Sequence, residues 1–267
     1  MGLFDVHAHL THPDLAPEID AVIARAEQAG VTTIISNGLN PDDNQAVKAL
    51  AERFPIIKPA FGFYPVDAVL ADMRAQGEDY PGQRDAWPTE EGIDWVRQHV
   101  GDAFAVGEIG LDGYWVKEPF WPAQEAAFKA LVRIAMEADK VIIIHTRKRE
   151  QRTFELLEEL GATKVDWHCF GGRVNLARRI AERGHYLSIP ANARRSESFT
   201  RMLETLPRTQ VLLETDCPYL GPDKDQRNEP ANVARTAAYA AELWKTDEAS
   251  VHEQMSDNFT RLFGVAP

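Results

Sequence analysis

Short apolar runs alternate along the whole chain with longer amphipathic stretches. The runs predict strands at 2–7, 31–36, 56–60, 103–108, 141–145, 165–168, 186–189 and 211–215. The amphipathic stretches predict helices at 17–29, 42–53, 91–100, 122–138, 150–160, 173–183, 195–205, 230–244 and 248–262. Strands that alternate with helices in this way indicate parallel βαβ units. Eight such units favour a closed (β/α)8 TIM barrel over an open doubly wound sheet.

The length of the chain agrees with one barrel. A single barrel domain takes about 250 residues, so we expect one domain over residues 1–267. Gly30, Gly161 and Gly184 each follow a predicted helix and precede a strand, as C-terminal capping glycines do. Asp42 suits the N-cap of the second helix. The segment 65–90 is rich in Pro, Gly and acidic residues, and it is either an irregular lid over the barrel mouth or a solvated insertion.

The composition is that of an ordinary globular protein, with 44% hydrophobic and 26% charged residues. No apolar run approaches the roughly 20 residues that cross a bilayer, and no export signal pattern opens the chain, so no membrane role is expected. Cys169 and Cys217 are too few for a disulfide framework, which favours a reducing, cytoplasmic location. The sequence does not define an oligomeric state, and a monomer is compatible with it.

The net charge of -12 argues against a generally basic surface that coats nucleic acid, because such binding neutralises phosphates. It does not exclude a nuclease. Bound divalent cations add local positive charge that a residue count misses.

Side chains that bind metals lie at or just beyond the ends of five predicted strands. His7 and His9 are one residue apart, so a strand would project both imidazoles from the same face. In a parallel barrel the carboxyl ends of all strands share one rim, where active sites are built. The candidate metal ligands on this rim are His7, His9, Glu108, His145, His168 and Asp216.

Six ligands of this type indicate a binuclear metal centre. Imidazoles with carboxylates suit Zn, Mn, Fe, Co or Ni, whereas Mg favours oxygen ligands alone. Six protein ligands are too many for one catalytic ion that keeps an open position, but they fit two ions sharing a carboxylate. We therefore expect two divalent ions: Zn, Mn, Fe, Co or Ni by the type of ligand, with Mg kept as a further candidate. Taken singly, each residue also has a structural explanation: a hydrogen-bonded histidine, a Glu108–arginine pair, or Asp216 capping a turn.

The remaining histidines and both cysteines have structural explanations. His12, His99, His185 and His252 fall in predicted loops or helices, where exposed or hydrogen-bonded histidine is common. Cys169 and Cys217 directly follow two candidate ligands. If strand alternation persists there, it turns them away from the metals to pack as small buried side chains, and the alternative is a ligand or redox role.

Seven stretches occur in an order that resembles the TatD-related deoxyribonuclease family, within the amidohydrolase-like metal-dependent hydrolases. They are "FDVHAHL", "GEIGLD", "VIIIHTR", "HCFGG", "ETDCPYL", "NEPANV" and "DNFTRLFG", and they run from residue 4 to residue 264. The resemblance implies a TIM barrel with hydrolytic chemistry.

The resemblance also implies roles for the candidate residues. One ion would be held by His7, His9 and Asp216 and the other by His145 and His168, with Glu108 bridging the two. Asp216 would also be the general base on the attacking water. The chain departs from the family pattern at "GFYP", where Tyr64 stands in place of the histidine that precedes this proline in many relatives.

The leading functional hypothesis is a phosphodiesterase that trims DNA from an end. Arg147 follows His145 closely enough to reach a phosphate, as does Lys148, and Tyr64 could donate a hydrogen bond to a phosphate or carbonyl oxygen. Tyr114 and Trp115 could stack on a base or pack against the next helix. The alternative is a hydrolase of a small ester, lactone or amide, because the same metal-activated water serves that chemistry. A non-catalytic module predicts missing ligands, and none is missing.

Overall fold

A closed parallel barrel forms the centre of the molecule. The structure is a computed structural model that describes residues 2–81 and 85–265. Its strands follow chain order around the sheet and every neighbouring pair is parallel. A further parallel bridge joins Ala8 to Cys217, which brings the end of the sheet back to its beginning. The (β/α)8 prediction is confirmed. The strands are β1 (Leu3–Ala8), β2 (Val31–Asn37), β3 (Ile57–Phe61), β4 (Ala105–Asp112), β5 (Val141–Arg147), β6 (Val165–Trp167), β7 (Tyr186–Ile189) and β8 (Val211–Leu213).

Helices surround this barrel and separate its strands. Two of them, at 67–75 and 89–99, lie between β3 and β4, and another two follow β8. The helices are α1 (Ile19–Gln28), α2 (Pro41–Arg53), α3 (Asp67–Ala75), α4 (Thr89–His99), α5 (Trp121–Glu137), α6 (Glu150–Leu160), α7 (Val174–Glu182), α8 (Glu197–Thr205), α9 (Val233–Trp244) and α10 (Glu248–Phe263). None of the helices in the described ranges is long and apolar enough to span a bilayer.

The helix ends agree with most of the predicted caps. Gly30, Gly161 and Gly184 all take positive φ angles after a helix, as predicted. The prediction that Asp42 is the N-cap of α2 is wrong. The N-cap is Asn40, whose side chain accepts a hydrogen bond from the Asp43 amide at 3.1 Å, because Pro41 occupies the first helical position.

The described parts of the segment 65–90, residues 65–81 and 85–90, are more ordered than the composition of the segment suggests, and residues 82–84 lie outside the described residues. The segment contains α3, a nine-residue helix that was not predicted, because the Pro- and Gly-rich residues after it obscure its pattern. Val69 and Met73 of α3 pack in a small cluster with Tyr64, Val116 and Phe120. Tyr80 lines the cavity at the barrel mouth. The described part of this segment therefore packs against its neighbours beside the cavity at the carboxyl end of the barrel.

Strand alternation places polar side chains inside the barrel. All six residues of β1 are buried, and Phe4, Val6 and Ala8 belong to the main apolar core. The intervening Asp5 and His7 are buried too, and alternation turns them to the other face of the strand, towards the barrel axis. Barrels are usually filled by branched apolar residues. Polar side chains on the axis therefore indicate a site.

Candidate metal centre

The six predicted ligands lie together at the carboxyl end of the barrel. His7 belongs to β1, and His9, His168 and Asp216 follow β1, β6 and β8 closely. Glu108 and His145 lie within their strands rather than at the ends, because β4 continues to Asp112 and β5 to Arg147.

Glu108 stands between two pairs of imidazoles. Its Oε2 lies 3.7 Å from Nε2 of His7 and 3.5 Å from Nε2 of His9. Its Oε1 lies 2.8 Å from Nδ1 of His145 and 3.8 Å from Nε2 of His168. One carboxylate oxygen therefore faces each pair, which is the arrangement that a bridging carboxylate requires.

The spacing of these atoms fits tetrahedral coordination. Metal–nitrogen bonds of about 2.0–2.1 Å place neighbouring tetrahedral ligand atoms roughly 3.3 Å apart. Nε2 of His7 and Nε2 of His9 are 3.2 Å apart, and Asp216 Oδ1 lies 3.5 Å from the latter. His7, His9 and Asp216 form one group that could hold an ion, and His7, Glu108 and His168 form another. The second group joins His168 to His7, whereas the family resemblance pairs it with His145.

The electrostatics favour a cation among these groups. Burial opposes ionisation of Glu108, but His145, His7 and His168 outweigh it and hold its pKa well below the ordinary value. Burial also opposes charge on His168, yet Glu214 and Asp216 raise its pKa to about 10. In the same way Asp112 and Glu108 raise the pKa of His145 to about 9. Protons and metal ions therefore compete for the same nitrogens, so metal affinity rises with pH.

Outer partners fix the orientation of three imidazoles. His168 Nδ1 lies 3.1 Å from both Glu214 carboxylate oxygens, and His145 Nε2 lies 3.1 Å from Asp112 Oδ2. His9 Nδ1 faces the Asn37 carbonyl oxygen at 3.3 Å. Each contact leaves the other ring nitrogen directed at the centre.

Two carboxylates among these partners, Asp112 and Glu214, are not among the residues predicted from the sequence. Both could have been predicted, because side chains two or four residues apart in a strand lie on the same face. Asp112 follows Glu108 by four residues, and Glu214 precedes Asp216 by two.

The two cysteines differ in their relation to the centre. Cys169 has a φ of 43°, so strand alternation ends there and the prediction that it turns away is wrong. Its Sγ, with ligand atoms of His168 and Asp216, forms a third group within 4.8 Å. Cys217 is fully buried in the main core, as predicted.

Of the four histidines given structural explanations, His185 is fully enclosed. Its Nδ1 accepts a hydrogen bond from the Trp167 indole, and its Nε2 contacts the Ala162 carbonyl oxygen. His12, His99 and His252 are half-buried.

A cavity of about 920 Å³ opens above the candidate ligands. Tyr64 and Arg147, the predicted substrate contacts, both line it. The Tyr64 ring lies edge-on to His145 with the centroids 4.9 Å apart. Acidic side chains of Asp42, Asp43 and Asp85 also line the cavity. A substrate that enters this space meets the candidate ligands and both predicted contacts.

A (β/α)8 barrel with a histidine–carboxylate cluster on its carboxyl rim, beneath an open cavity, defines a TIM-barrel metal-dependent hydrolase. Comparison with known proteins identifies the family. The family model described as TatD related DNase matches residues 4–264, and the chain belongs to this family.

Individual relatives agree with this assignment along their whole length. The metal-dependent hydrolase YabD of Bacillus subtilis is 31% identical, with 98% of this chain and 99% of YabD covered. The 3'-5' ssDNA/RNA exonuclease TatD of Enterobacter lignolyticus is also 31% identical, over 99% of this chain and all of the relative. The crystal structure of YJJV, a TatD homologue from Escherichia coli, superposes with a TM-score of 0.85 at 24% identity, covering 98% of both chains.

Proposed function

We propose that this protein hydrolyses phosphodiester bonds of DNA with two divalent metal ions and removes nucleotides from an end. The observation that carries the proposal is the position of Glu108, with one carboxylate oxygen facing His7 and His9 and the other facing His145. The name of the TatD exonuclease relative supports the choice of a nucleic-acid end as substrate.

The proposed ligand sets follow the family resemblance. His7, His9 and Asp216 would hold one ion, His145 and His168 the other, and Glu108 would bridge them. The four imidazoles favour Zn, Mn, Fe, Co or Ni over Mg. When bound, a pair of divalent ions supplies water of lowered pKa and stabilises charge on the ester oxygens.

The protein side chains would orient the substrate and move protons. Asp216 would accept the proton of the attacking water at a carboxylate oxygen, and its side chain is 12% exposed in the cavity. The Arg147 guanidinium and the Tyr64 hydroxyl would donate hydrogen bonds to phosphate oxygens. Both free thiols support a reducing, cytoplasmic location for the protein.

The test uses end-labelled single-stranded DNA. Metal-loaded wild-type protein should give a stepwise ladder of shortened products, and Glu108→Gln prepared identically should leave the DNA intact. A ladder from both samples would indicate a contaminating nuclease. Intact DNA in both lanes, with two ions per chain measured in the wild type, would rule out the proposed function.

A second candidate is hydrolysis of a small neutral ester, lactone or amide. It is favoured by one observation: Asp42, Asp43 and Asp85 line the cavity, and their negative charges repel a phosphate chain there. Aryl esters and lactones, compared with an aryl phosphodiester on the same metal-loaded protein, separate the two candidates. Faster turnover of the phosphodiester supports the nuclease.

A further inference from the structure

Two aromatic and two basic residues form a cluster where β4 and β5 end, here called the β4–β5 platform: Tyr114, Trp115, Arg147 and Lys148. The strand register pairs Asp112 with Arg147, so the residues after Asp112 pass beside the end of β5. The Arg147 guanidinium carbon lies 3.7 Å from the Tyr114 ring centroid and 5.9 Å from that of Trp115. Lys148 Nζ lies 4.8 Å from the Tyr114 centroid.

The positive charges of the platform remain available to an anion. Within residues 2–81 and 85–265, neither Arg147 nor Lys148 pairs with a carboxylate, and neither side chain donates a hydrogen bond. Two neighbouring arginines behave differently, because Arg149 and Arg152 both bind Glu125. A ring face holds a guanidinium in place without neutralising it, so the N–H donors of Arg147 stay free for phosphate oxygens.

The platform is tied directly to the candidate metal centre. Arg147 lies two residues after His145 on the same strand, about 6.6 Å further along it, and it lines the same cavity as Trp115. Oδ1 of Asp112 accepts hydrogen bonds from the amides of Tyr114 and Trp115, both at 2.7 Å. Its Oδ2 is the atom that faces His145. One carboxylate therefore fixes the platform and an imidazole of the centre relative to each other.

We propose that the β4–β5 platform is a nucleotide subsite for a single-stranded end. This subsite rests on the proposed function and specifies its substrate. Arg147 binds a phosphate adjacent to the one being hydrolysed, and Trp115 stacks on an unpaired base. Tyr114 is a positioning residue whose ring face holds the Arg147 guanidinium in place. A duplex fits less well, because the faces of its bases are already covered by their neighbours.

Acidic residues line another part of the same cavity, two of them in the first turn of α2. Asp42, Asp43 and Asp85 repel phosphates, whereas Arg147 and Lys148 of the platform pair with no carboxylate in the described ranges. A strand whose end lies at the centre therefore leaves the cavity over β4 and β5.

The experiment measures binding by metal-loaded protein of a short fluorescent single strand with a phosphorothioate backbone, using anisotropy and checking on a gel that the strand stays intact. Trp115→Ala should weaken binding about tenfold, the effect of losing one stacking contact with a base. Tyr114→Ala should weaken binding by a similar factor, because the Arg147 guanidinium loses the ring face that holds it. Tyr114→Phe keeps the ring face and should bind like the wild type. Arg53→Ala is the matched control, because Arg53 also stacks on a ring, Phe54, but at the other end of the barrel.

The outcomes separate the subsite from the proposed function. Weaker binding by both alanine variants, with unchanged melting temperatures, supports the nucleotide subsite even if ordinary DNA is not cleaved. Equal affinities in all variants overturn the platform, and if the wild type still cuts ordinary DNA, the proposed function stands. Equally tight binding of a duplex overturns the assignment of an unpaired base, and loss of binding in Tyr114→Phe overturns the role of the ring face.

Discussion

The two ends of the barrel are built from opposite kinds of side chain. At the carboxyl rim, charged and polar groups such as His7, Glu108 and His168 are buried within 4 Å of one another. Around the strand starts, α10 packs through aromatic rings. Phe259 lies with its centroid 4.7 Å from that of Phe4 and 4.4 Å from that of Phe263.

This difference indicates where stability and function reside. Buried ionisable groups cost free energy unless partners offset their desolvation, so the rim does not stabilise the fold by itself. The aromatic end supplies apolar burial, and Asn258 of α10 donates hydrogen bonds to the carbonyl oxygens of Arg208 and Val211 at the start of β8, both at 2.7 Å. Substitutions at the rim should therefore change activity or metal binding, and substitutions at the other end should change stability.

Asp216→Asn should give the largest effect. The amide cannot accept the proton of the attacking water and is a weaker ligand, so kcat should fall about 1,000-fold, equivalent to roughly 4 kcal/mol. The melting temperature of protein treated with a chelator should stay close to that of the wild type, which calorimetry measures. A large drop in melting temperature would break the separation between the two ends.

Phe259→Ala should give the reverse result. Removing a fully buried ring from a packed cluster costs about 3–5 kcal/mol, so the melting temperature should fall by roughly 10 °C. Assayed well below that temperature, kcat per folded molecule should equal the wild-type value. A loss of kcat would show that the aromatic end also controls the rim.

Glu214→Gln tests the orientation of His168 on the rim side. Without the carboxylate at its Nδ1, His168 is a weaker ligand, and metal affinity should fall about 10- to 100-fold. Competition with a fluorescent chelator measures this affinity independently of turnover. Glu125→Gln is the matched control, because Glu125 binds Arg149 and Arg152 and contacts no candidate ligand. Equal losses in both variants would argue against a specific role for Glu214.

The sequence predicted both the barrel and the cluster at its rim because each depends on local periodicity. The period of two residues in an extended chain places His7 and His9 on one face, and parallel connections bring all strand ends to one rim. Cys169 escaped prediction because a single positive φ, invisible in the residue pattern, ends the alternation. Arg147 could be suggested from its position beside His145, but its stacking on Tyr114 depends on the register between β4 and β5.

His185 provides the smallest expected effect, at the amino-terminal end of β7. Burial lowers the pKa of its imidazole, which is enclosed between Trp167 and the Ala162 carbonyl. The unfolded chain therefore binds a proton near pH 6.5 that the folded protein binds only at lower pH. Its contribution to stability is present above pH 6.5 and is lost as pH falls towards the folded pKa, with a slope of at most about 1.4 kcal/mol per pH unit.

His185→Gln keeps one acceptor and one donor but cannot titrate. Its free energy of unfolding, measured by urea denaturation, should run parallel to that of the wild type above pH 7 and fall less steeply below pH 6.5. Activity per folded molecule should be unchanged at every pH, because the imidazole lies at the end of the barrel away from the cavity. Identical slopes below pH 6.5 would show that the His185 imidazole has the same pKa in the folded and unfolded chain. A change in the pH profile of kcat would show that the two ends of the barrel are coupled, contrary to what Asp216→Asn and Phe259→Ala are expected to show.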